Sequence, residues 1–127
     1  MTEIKPIILY NGEYFTVEYA IRLNGSSESK EFIEGLELKD KAKIIRVIKR
    51  FANFGKVYNT EQFKKVEDVL WEFKSSQIRI LMFHCSRHTI ALTHGFIKKS
   101  ERIPQKQIDR AYNIINEYSQ IRKDEGW

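Results

Sequence analysis

Apolar positions recur along this 127-residue chain at two different periods, and each period predicts its own kind of element. Phe15, Val17, Tyr19 and Ile21 alternate with Thr16, Glu18, Ala20 and Arg22, the period of two that marks a strand with one buried face. Ile7-Ile8-Leu9-Tyr10 precedes it across Asn11-Gly12, a pair suited to a two-residue hairpin turn in which both residues need φ > 0. The chain therefore opens on a predicted β-hairpin. Three further strand-like runs follow in quick succession, Val69 to Lys74, Ile78 to His84 and Thr89 to Phe96. Ser75-Ser76-Gln77 and Cys85-Ser86-Arg87-His88 join them at hairpin length, which predicts an antiparallel meander.

Helical spacing fills the remainder. After the loop Leu23–Ser29, Ser27 or Ser29 is placed to cap a short helix carrying Phe32, Ile33 and Leu36. Ile44, Ile45, Ile48 and Phe51 form the stripe of a second helix, with Gly55 at its C-terminal cap, and Lys56 to Gln62 reads as a loop. Lys43, Arg46, Lys49 and Arg50 occupy the opposite face of that helix. Such a face is either simply solvated or a contact for ribosomal RNA or an acidic partner. Pro104 suits the first position of a last helix with Ile108, Ala111, Tyr112 and Ile115 as its stripe, ending in a polar, frayed tail at Arg122–Glu125. The order is β-β-α-α-β-β-β-α: one α+β domain over 1–127, its helices gathered on one face of an antiparallel sheet.

Composition narrows the class. An apolar fraction of 42% supports a core, and no apolar run nears the ~20 residues of a membrane span. The N-terminal stretch lacks the cleavage site of a signal peptide. One cysteine, Cys85, permits no internal disulfide, so a reducing cytoplasm is the expected home. Twenty-two basic residues against 17 acidic ones leave a net charge of +5, which favours a polyanion or an acidic protein as partner.

Several segments then acquire meaning together: Lys64-Lys65-Val66, Leu70-Trp71-Glu72-Phe73-Lys74, Ile78-Arg79-Ile80-Leu81, Leu92-Thr93-His94-Gly95-Phe96-Ile97-Lys98-Lys99, Pro104 and Ala111. At these spacings the chain resembles the phage-derived HigB toxins of the RelE/ParE superfamily over about residues 14 to 118. The resemblance implies a RelE-like fold. It also implies a toxin held silent by a cognate antitoxin, often a helix-turn-helix protein of the HigA type, which when freed cleaves messenger RNA in the ribosomal A site. Glu72 is typical of the HigB branch where some RelE-type toxins carry lysine. Lys74 stands where arginine is more frequent, and the C-terminal catalytic tyrosine of some relatives has no counterpart in Ile103-Pro104-Gln105.

RNA cleavage by side chains needs a base for the 2′-OH, cations for the charge growing on phosphorus and an acid for the departing 5′-oxygen. Lys74, Arg79, Lys98 and Lys99 come from the ends of three neighbouring strands and are the expected cations. Arg79 leads them because its planar fork holds two phosphate oxygens and stays charged. Arg102 extends that grip, and Lys64 and Lys65 read as RNA-positioning contacts. Lys74, Lys98 and His94 are the candidates for the base, with His94 equally readable as a bridge between sheet and helix. His84, Cys85, His88 and His94 fit no zinc spacing, and neither metal nor cofactor is expected. Trp71, Phe73, Met82 and Phe83 read as packing. Two other functions suit the same fold: a ParE-like gyrase inhibitor, or a phage or prophage protein that binds nucleic acid without cutting it.

Overall fold

The computed structural model describes residues 4–55 and 61–127; part of the expected Lys56–Gln62 loop lies outside them. Strands β1 (Ile7–Asn11) and β2 (Thr16–Tyr19) lead into helices α1 (Glu28–Glu34) and α2 (Leu38–Phe54). Strands β3 (Phe63–Glu67), β4 (Leu70–Ser75), β5 (Ile78–Ser86) and β6 (Thr89–Ile97) follow, and α3 (Gln105–Glu125) closes the chain. The strands form one six-stranded sheet in the order β1-β2-β6-β5-β4-β3. The fold is α+β and RelE-like, and the meander β4-β5-β6 pairs antiparallel as expected. One pair departs from the antiparallel rule. β6 returns beside β2 in parallel, from Thr16↔Thr89 to Tyr19↔Leu92, because the α1–α2 crossover carries the chain from β2, one strand in from one edge, to β3 at the other.

Three expectations are corrected. β3 is a strand, so Lys64 and Lys65 lie within the sheet rather than ahead of it. Asn11-Gly12 is not a two-residue turn: Asn11 pairs with Thr16 across a four-residue loop, and Gly12 does not have positive φ. Its glycine serves close approach instead, since a Cβ there would stand 2.5 Å from the carbonyl oxygen of Ala52, which accepts hydrogen bonds from the Tyr14 and Phe15 amides. The helices occupy both faces of the sheet, not one. Ile33 of α1 and Ile44, Val47, Ile48 and Phe51 of α2 pack on Val17, Phe73, Ile80, Met82 and Leu92. Ile108, Ala111, Ile114, Ile115 and Tyr118 of α3 pack on Leu70, Leu81, Phe83 and Ala91 from the other side.

Local chemistry fixes these elements. Ser27 caps α1 by accepting from the Lys30 amide, and Gly55 ends α2 at φ 77°, where a side chain would be strained. Pro104 stands at the N-cap of α3, one position before the expected one. The tail expected to fray is helical to Glu125. Arg122 and the Tyr118 hydroxyl both donate to Oε1 of buried Glu18 on β2, anchoring the last turns of α3. None of the described helices is long and apolar enough to cross a membrane.

Candidate functional site

Side chains that are partners across neighbouring strands share a face of the sheet. Lys64, Glu72, Leu81 and His94 form one such row from β3 to β6, and Lys74, Arg79 and Phe96 form the next. Leu81 and Phe96 belong to the core beneath α3, which places both rows on that face. α3 begins at Gln105, and its first turns, the β6–α3 connection and strands β3 and β4 leave a gap between them on this face. A cleft of about 280 Å³ opens there, with Glu72 among Lys64, Lys65, Lys98 and Arg102, and Ile103 and Ile108 on its apolar side. A second depression of about 340 Å³ adjoins it and is bounded by Gln77, Arg79, Lys98 and Lys99; Lys98 and Glu101 line both.

Arg79 is 8% exposed, and its Nη1 donates to the carbonyls of Ser76 (2.7 Å) and Ile78 (3.0 Å). These belong to the tight β4–β5 turn, where Ser76 takes φ 55°. The turn thus anchors one nitrogen of the guanidinium, while the buried Nε has no partner. Among the described residues no ion pair involves Lys64, Lys65, Lys74, Arg79, Lys98, Lys99 or Arg102. Their charge is therefore available to an anion rather than cancelled within the fold.

The structure thus brings Lys64, Lys98 and Arg102 into one cleft, which Lys65 borders with its ammonium over its register partner Trp71, and Arg79, Lys98 and Lys99 into its neighbour. Lys74 lies opposite Arg79 in register but borders neither. His94 is set apart from both. It is 1% exposed, with Nε2 2.9 Å from Gln107 Oε1 and Nδ1 3.2 Å from the Thr93 hydroxyl, so it bridges β6 and α3. Burial lowers its pKa, only partly offset by the bond to Gln107. A histidine kept neutral in the fold but protonated when unfolded contributes stability above the usual value near 6.5, which is lost as pH falls below it. His84, also lowered by burial, acts in the same direction. The melting temperature should accordingly drop between about pH 7.5 and pH 5.5, and by less in His94→Gln; a flat wild-type profile would contradict this.

Glu72 is the site residue that sequence reasoning passed over. It alternates with Leu70 and Lys74, so its face was legible, but its burial depended on Ile108 and the segment before α3. Trp71 stacks on Phe63 at 5.0 Å with the Lys65 ammonium over its ring, and Phe73, Met82 and Phe83 are core. His84 touches the Phe15 and Phe51 rings on the α2 side, whereas Cys85 packs with the α3 core, so the two diverge across the sheet. No cluster of three or more metal-ligating side chains occurs among the described residues. On the α2 side, Lys43, Arg46 and Arg50 line a shallow depression with Gln62 and Ser75, and Lys49 sits over the Tyr10 ring.

Residues 31–116 match the model of the phage-derived protein Gp49-like family (DUF891). The chain belongs to that family, whose members are RelE-type and toxin-like. No curated protein matches it.

Proposed function

We propose that this chain is the HigB-type toxin of a type II toxin–antitoxin pair, an endoribonuclease that cleaves messenger RNA on the ribosome. One observation carries the reading. Cations from β3, β5 and the β6–α3 connection border two adjoining depressions on a RelE-like sheet, and none of them is held in an ion pair. Such a site suits a phosphodiester whose charge increases as it reacts. The 2′-oxygen attacks phosphorus, Arg79 and Lys99 hold the non-bridging oxygens, and an ammonium group protonates the departing 5′-oxygen. Lys64, Lys65 and Arg102 keep the strand in register through its backbone. Lys74 supports the Arg79 side from the neighbouring strand. In the cytoplasm a helix-turn-helix antitoxin of the HigA type would cover the site, and its gene is expected beside this one.

Induction of the chain in a bacterial host tests the reading. Growth should stop, and new messenger RNA ends should map inside translated codons. Intact messages beside double-strand DNA breaks would instead identify a ParE-like gyrase inhibitor. Unimpaired growth with intact messages would point to a nucleic-acid-binding protein that does not cut.

A further inference from the structure

Glu72 is 2% exposed, and its Oε2 has no hydrogen-bond partner. An ionised carboxylate only accepts hydrogen bonds, and burying one of its oxygens without a donor is costly. The surrounding groups do not meet that need. Lys64 stands across from it on β3 and Leu81 on β5, while Lys98, Glu101 and Arg102 of the β6–α3 connection and Ile108 of α3 bound the cleft. None of these cations forms an ion pair with it. Glu72 thus lines the cleft with a carboxylate whose buried oxygen lacks a donor, beside cations that no ion pair holds. A ribonucleotide joins the two complementary groups on adjacent atoms, a 2′-hydroxyl that donates and a 3′-phosphodiester that is negative. A deoxyribonucleotide offers only the anion at that position.

We propose that Glu72 is the proton acceptor of the cleavage reaction, a residue choice that rests on the nuclease reading above. Its carboxylate takes the 2′-hydroxyl proton as the 2′-oxygen forms its bond to phosphorus. The bond from phosphorus to the 5′-oxygen breaks, and the departing oxygen keeps the electron pair and takes a proton from the Lys98 ammonium. The products are a 2′,3′-cyclic phosphate and a 5′-hydroxyl end. Solvent then carries the proton from Glu72 back to Lys98, so the step needs no further reactant. An ammonium has no lone pair to accept a proton, which suits Lys98 to the acid role and Glu72 to the base.

The test uses ribosomes programmed with a message, and a second message with a 2′-deoxy nucleotide at the mapped cleavage site to measure binding alone. Glu72→Gln should cleave about 10²–10⁴-fold more slowly, the range of a lost general base. It should bind the uncleavable message as tightly as wild type or more tightly, because a negative charge leaves a cationic cleft. Cleavage by Glu72→Gln near the wild-type rate overturns the assignment, as does a parallel loss of binding and cleavage, which a purely structural role would produce. If the glutamine variant does not fold, Glu72→Asp decides: withdrawing the carboxylate by one methylene should slow cleavage on the order of 10²-fold with binding retained, and full-rate cleavage overturns the proposal. A wild-type chain that leaves ribosome-bound messages intact removes the nuclease reading and this assignment with it. Wild-type cleavage beside a full-rate Glu72→Gln removes the assignment alone.

Discussion

Cells induced for Arg79→Ala should keep growing, with cleavage of ribosome-bound messages reduced about 10²–10³-fold, the usual effect of deleting one preorganised donor to a developing charge. The guanidinium is buried at the mouth of the β4–β5 turn and carries no ion pair, so its charge acts on whatever anion enters the neighbouring depression. Alanine also removes two hydrogen bonds to the Ser76 and Ile78 carbonyls. At about 1 kcal/mol each, that loss lowers the melting point without unfolding the chain. Arg79→Lys separates the two effects. It restores the charge but not the planar fork, and should recover only part of the activity. Growth arrest and codon-internal ends that persist in a folded Arg79→Ala protein would remove Arg79 from the site.

Arg122→Ala should be the most destabilising single change considered, costing roughly 3–5 kcal/mol, as expected when one partner of a buried ion pair is deleted. Glu18 is 5% exposed, and its Oε1 accepts from Arg122 and, at 2.7 Å, from the Tyr118 hydroxyl. Without Arg122 a buried charge keeps only that neutral donor. For a domain of this size the melting temperature should fall on the order of 10 °C or more. Glu18→Gln in the same chain should restore part of the loss, because the charge left unpaired is then absent. Cys85 supplies a local reading. Burial, eased by the nearby Arg122 charge, pushes its thiol up to about 12, which keeps it unreactive toward alkylation in the intact fold. Loosening the end of α3 should make Cys85 react before the remainder of the sheet opens. A variant as stable as wild type would show that Glu18 is paired otherwise.

Much of this architecture could be read along the chain because its signals are local. The alternation through β2, the apolar spacing of α2 and its Gly55 cap depend on neighbours a few residues away, although the one buried face expected of β2 proved to be two, since α3 covers Glu18 and Ala20 as well. The continuous run Ile80-Leu81-Met82-Phe83 also carried a message that was passed over: a strand apolar at every position is covered on both faces. Ile80 and Met82 meet α1 and α2, whereas Leu81 and Phe83 meet α3, so α3 lies on the opposite side from the other helices. β3 escaped because Phe63-Lys64-Lys65-Val66-Glu67 lacks an alternating pattern. It is an edge strand, formed by the ladder that β4 offers and tolerant of lysine because its outer side faces solvent.

The candidate site divides along the same line. Residue pattern alone located five of the six strands, the cations near their ends and the resemblance to a toxin family. Which of those side chains meet depended on how the chain packs in three dimensions. His94 went to the sheet–helix bridge because α3 brought Gln107 within 2.9 Å of it. Glu72 gained its place because Ile108 of the same helix and the connection before it close over β4, leaving a buried carboxylate in the wall of a cleft that lysines line. Strand pattern is set by residues two apart, but burial and partnership are set by whatever the rest of the chain lays over them, from residues 13 to 104 positions away in His94–Gln107 and Glu18–Arg122.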